Sequence, residues 1–84
     1  MSSPTEQEIR EEIRRRRYLR TLVDFTAQLI RQGGIDRNEA ERLVETMRRQ
    51  ILQLFPGKEE TFELIYRRRF SRLIDEYVRD DPRG

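Results

Sequence analysis

Between positions 40 and 55 the apolar residues Ala40, Leu43, Val44, Met47, Ile51, Leu54 and Phe55 fall at helical intervals on one stripe. A second stripe, Phe62, Tyr66, Phe70, Leu73, Ile74 and Tyr77, comes after it, and a third precedes both at Leu19, Leu22, Val23, Thr26, Leu29 and Ile30. Each stripe is a candidate core face.

The residues between the stripes are helix starts and stops. Ser3-Pro4-Thr5-Glu6 combines a capping side chain, a proline suited to the first turn and a glutamate three residues after the cap. Gly33 and Gly34 supply the left-handed backbone that closes a helix, so the first helix is predicted over about 4–32. Asp36 and Glu39 repeat the capping pattern and start a second helix at about 37. Pro56 biases Phe55 away from helical dihedrals and ends that helix at about 55. Gly57 permits a reversal, and a third helix is predicted over about 58–79, with Glu59 and Glu60 complementing its dipole. Asp80, Asp81, Pro82 and Gly84 read as a frayed tail.

Three apolar stripes joined by short loops predict an all-α fold, an antiparallel up-down-up three-helix bundle occupying residues 1–84 as a single domain. At ~1.5 Å per residue the first helix would reach about 43 Å and the other two about 30 Å, so its N-terminal part should project beyond the bundle. Ile9 and Ile13 share a face of that projecting part and point away from the face carrying Leu22 and Leu29. A charged helix with a narrow apolar stripe pairs with another chain or docks in a groove. The alternatives are a solvated helix held by the pairs Glu6–Arg10, Glu11–Arg15 and Glu12–Arg16, or a helix that bends back on its own chain. Leu52 and Leu64 also fall off their stripes.

Charge then narrows the function. Charged residues make up 40% of the chain and apolar residues 35%, with a formal net charge of only +2, so the outer faces are heavily charged but balanced. Seventeen of the eighteen cations are arginine, in three runs: Arg14, Arg15, Arg16, Arg17 and Arg20; Arg48 and Arg49; and Arg67, Arg68 and Arg69 with Arg72. Aligned by the loops, these runs fall at similar heights, with Tyr18 and Tyr66 nearby, and could form a phosphate-binding band. The same alignment sets Glu59, Glu60 and Glu63 beside Arg14 to Arg17, where ion pairs would cancel much of the field. Four consecutive arginines also point all round a helix, so one groove cannot engage them together. Arg69, at the edge of its apolar stripe, calls for a carboxylate, with Asp24 the first expected partner and Glu45 the second.

The chain has neither Cys nor His, which removes thiolate and imidazole ligands, nucleophilic thiols, histidine bases and disulfides. Gly33-Gly34 lacks the rest of a P-loop, and Asp36 to Glu39 lacks the glycine and terminal glutamate of a calcium loop. No metal, cofactor, small-molecule substrate or enzymatic activity is expected. No apolar run approaches a membrane span and no signal-peptide segment is present, so a cytoplasmic location without membrane association is the expectation. The leading reading is a small non-enzymatic helical interaction module that self-associates or docks on a larger protein, with Ile9, Ile13 and Tyr18 as contacts. The alternative is a nucleic-acid-associated protein that binds phosphates through Arg14, Arg15, Arg16, Arg17, Arg20, Arg48, Arg49, Arg67, Arg68 and Arg72.

Overall fold

The computed structural model describes residues 5–78 of the 84, and every regular element among them is helical. Helix α1 runs Glu6–Gln32 and α2 runs Arg37–Leu54. A third rod is built from α3 (Glu59–Phe62), a π-helical turn (Glu63–Arg67) and α4 (Arg68–Tyr77). Its junction residues Glu63 and Arg68 hold right-handed helical dihedrals, so the rod is continuous through the π turn. The three helical units touch one another: α1 packs on α2 and on α4, and α2 also meets α4. No helix among the described residues is long and apolar enough to cross a membrane.

The capping chemistry differs from the sequence expectation at the first helix. Ser3 and Pro4 lie outside the described residues, and the cap is Thr5. Its hydroxyl accepts from the Glu8 amide at 3.1 Å, and its own amide donates to the Glu8 carboxylate at 3.1 Å. This reciprocal pair places the helix start at Glu6 instead of Pro4. At α2, Asp36 Oδ1 accepts from the Glu39 amide at 2.8 Å. Gly33 closes α1 with φ +74°, a left-handed value that a side chain would strain, and its amide donates to the Ile30 carbonyl.

The core collects Val23, Ala27 and Ile30 from α1, Ala40, Val44, Met47 and Ile51 from α2, and Phe62, Phe70, Leu73 and Ile74 from the third rod. Thr26 is buried among them and satisfies its hydroxyl by donating to the Leu22 carbonyl at 2.8 Å. Leu19, Leu22 and Leu43 of the expected stripes are half-buried at the margin.

Two departures come from the third rod. Tyr77, expected in the core, is exposed, and Val78 is buried in its place. The chain leaves the helix after Tyr77, where Val78 has extended dihedrals and turns into the core. The expected end at about 79 falls outside the described residues. The second departure is the π turn itself, which adds one residue to a helical turn and shifts every later side chain round the rod.

Candidate functional site

The N-terminal half of α1 is helical without burial. Every residue from Thr5 to Tyr18 is exposed, Leu19 is the first to be half-buried and Val23 the first in the core. With no buried side chain to anchor it, this segment relies mainly on local interactions. The Thr5–Glu8 box satisfies its first amides, and these hydrogen bonds from Thr5 hold the Glu8 carboxyl below its usual pKa. Arg10 pairs with Glu6 at 3.4 Å and Arg16 with Glu12 at 2.8 Å, both in the favourable order along the helix. The third expected pair, Glu11–Arg15, is not formed.

Ile9 and Ile13 are 45% and 50% exposed on this segment, one helical turn apart. Ile13 lies in a shallow hollow of about 250 Å³ that Arg10, Arg14 and Arg17 surround. Tyr18 stands apart from them: its hydroxyl donates to Gln50 Oε1 at 3.4 Å, which ties it to α2. The three residues singled out from sequence are therefore all exposed, but Tyr18 is bonded to α2 and the two isoleucines lie earlier on the exposed stretch of α1.

The arginine runs separate into two kinds. Arg48 and Arg67 are held in a closed ring with Glu45 and Glu63: Arg48 reaches Glu45 and Glu63 at 3.3 Å each, and Arg67 reaches Glu63 at 3.0 Å and Glu45 at 3.6 Å. Alternating signs around the ring give every charge two opposite neighbours. Hydrogen bonds from Arg67, and then Arg48, hold the Glu63 carboxyl below its usual range, and Glu63 in turn raises the Arg67 guanidinium. Arg67 also lies over the Phe62 ring at 5.5 Å. Glu63 thus pairs within the α2–third rod interface and not with Arg14 to Arg17, which corrects the expected cancellation between those groups. Arg69 likewise takes neither Asp24 nor Glu45 as its partner; it is exposed, with its guanidinium 6.0 Å from the Phe70 ring centroid.

Arg14, Arg15, Arg17, Arg20, Arg68 and Arg72 are exposed and make no ion pair among the described residues, and Arg49 donates to the Thr46 hydroxyl. Because Arg48 and Arg67 are committed to the ring and Arg16 to Glu12, the three runs do not supply one uninterrupted basic band.

Two exposed apolar residues escaped the sequence reading. Phe25 is 60% exposed, and Ile65 lies exposed beside the anticipated Leu64 on the π turn. Phe25 had a legible signal, since Tyr18, Leu22, Phe25 and Leu29 keep a four-three-four spacing beside the core stripe. Leu52, by contrast, is half-buried. A cleft of about 610 Å³ between α2 and α4 is lined by Arg37, Glu41, Arg42, Glu45 and Arg67 among others, and it mixes both signs of charge. Among the described residues no three acidic side chains are grouped as metal ligands.

Comparison with known protein families, curated proteins and solved structures gives no match.

Proposed function

We propose that this chain is a small non-enzymatic interaction module, an antiparallel up-down-up bundle whose α1 projects beyond the other helices and docks on a protein through Ile9 and Ile13. The antiparallel order of α2 and the third rod is supported by three ion pairs, Arg37–Asp75, Arg48–Glu63 and Arg67–Glu45, whose residue numbers sum to nearly the same value. As one residue number rises its partner's falls, as in an antiparallel pair. Projection is supported by length, since 27 residues of α1 amount to about 40 Å against about 27 Å for the 18 of α2.

The observation that carries the function is the combination of order and exposure in residues 5–18. A stretch built to stay helical by a capping box and two ion pairs, yet contributing nothing to the core, presents a preformed surface. Preformed helices lose less conformational entropy on binding than disordered ones. Two isoleucines on one face of it are the apolar contacts such docking requires.

The test is to replace both anchors, Ile9→Glu with Ile13→Glu, and follow thermal unfolding in dilute solution. The expected melting temperature matches the parent, because exposed positions of this kind change stability by less than about 0.5 kcal/mol. A marked fall would mean the isoleucines serve the chain's own core, and would overturn the reading.

A nucleic-acid role has one supporting observation, the guanidiniums of Arg14, Arg15, Arg17 and Arg20 on α1, which are exposed and make no ion pair among the described residues. It predicts binding to a polyanion that weakens steeply with salt and is lost when Arg15 and Arg17 are changed to Glu.

A further inference from the structure

The exposed part of α1 is divided by charge. From Glu6 to Ile13 there are four glutamates and one arginine, whereas from Arg14 to Arg20 there are five arginines and no carboxylate. The two halves meet at Ile13. Such a segment complements its own reverse.

We propose that the partner docked on Ile9 and Ile13 is a second copy of this chain, its α1 running antiparallel about a two-fold axis at Glu11. This rests on the interaction-module reading and specifies its partner. Setting Ile9 level with Ile13 of the partner subunit fixes the register. Glu6 then comes level with Arg16 of the partner subunit, Glu8 with Arg14 of the partner subunit, and Arg10 with Glu12 of the partner subunit. The two-fold repeats each pairing, as any isologous contact must. The intervening levels, Thr5 with the partner's Arg17 and Gln7 with the partner's Arg15, hold no like charges. Glu11 would meet its own copy on the axis, but at ~100° per residue it lies about 200° round the helix from each isoleucine and so faces away from the seam.

The geometry around Ile13 agrees. The hollow there is bordered by the cations Arg10, Arg14 and Arg17 and floored by an apolar side chain, so its complement is an apolar group flanked by carboxylates. Ile9 between Glu6, Glu8 and Glu12 has that composition. A parallel pairing in register would instead set Arg14 to Arg17 against the same four arginines and the glutamates against each other, which like-charge repulsion opposes. An antiparallel slip that moves the isoleucines over Leu22 and Phe25 brings Arg15 of one copy beside Arg20 of the other, and is disfavoured for the same reason.

Sedimentation equilibrium of the full chain decides the matter, with four proteins compared at low salt. The parent is expected to dimerise, and to dissociate about tenfold more readily at ~1 M salt, where charges are screened within ~3 Å. Glu6→Arg with Glu8→Arg should be monomeric, as should Arg14→Glu with Arg16→Glu, because each creates like charges at two levels. The fourfold variant carrying all these changes should dimerise again, although it also lacks the Glu8 cap, so loss of capping cannot explain the monomers. A parent that stays monomeric to about 1 mM, a dimer indifferent to the double reversals, or a helical fourfold variant that remains monomeric would each overturn the proposal. A monomeric parent would leave the spare-face reading standing, since that is judged by the melting of the Ile9→Glu, Ile13→Glu variant.

Discussion

Phe62 and Phe70 are eight residues apart on the third rod and both buried, at 1% and 0% exposure. Eight residues of plain α-helix would set them about 80° apart, near opposite edges of one apolar stripe. The π turn between them takes up one residue, leaving the equivalent of seven and an offset of about 20°. Leu64 and Ile65, on that turn, are exposed.

Removing one residue from the π turn should therefore be tolerated. Deletion of Leu64 converts the rod to continuous α-helix with both phenylalanines still inward, and its expected melting temperature lies close to that of the parent. Deletion of Ser71 instead rotates Leu73 and Ile74 by about 100° off the core and is expected to abolish cooperative unfolding. Thermal melts of the two deletions check this; equal damage from both would refute the register argument.

Truncation should separate the two classes of phenylalanine. Phe70→Ala leaves a cavity among α1, α2 and α4 side chains and is expected to cost about 3–5 kcal/mol in denaturant unfolding. Phe25→Ala removes a side chain that is mostly in solvent and should cost less than about 1 kcal/mol in the same assay.

Acid should weaken the junction of α2 with the third rod. Glu63 titrates below its usual range when folded, so its contribution is fully present at neutral pH and is lost as pH falls through that lowered value. Glu63→Gln should accordingly show a flatter dependence of melting temperature on pH below about 4.3, the usual glutamate value, than the parent does. An unchanged acid limb would show that the ring contributes nothing measurable.

The two N-caps should differ in reach. Asp36→Ala removes the acceptor for the Glu39 amide at the start of a packed helix and should lower global stability by about 1 kcal/mol. Thr5→Ala should leave the melting temperature unchanged while reducing hydrogen-exchange protection of the amides just after Glu8, because nothing in the core depends on that segment.

Much of the fold was legible because helix boundaries and apolar spacing are local. Asp36, Gly33 and Pro56 act on their immediate neighbours, and the stripe through Ala40, Val44, Met47 and Ile51 comes from helix period alone. The exposure of Ile9 and Ile13 follows from their place along α1, in a stretch where every residue from Thr5 to Tyr18 is exposed.

Tertiary structure decided the rest. The π turn brings Phe62 and Phe70 from about 80° to about 20° apart on the core face, an adjustment that the apolar spacing does not reveal. The ring joining Glu45, Arg48, Glu63 and Arg67 depends on that turn, because only side chains delivered to the same interface can choose among several oppositely charged neighbours. Spacing along the chain states which residues share a face; which ion pairs form depends on the height and rotation at which two faces meet, and those are fixed by packing.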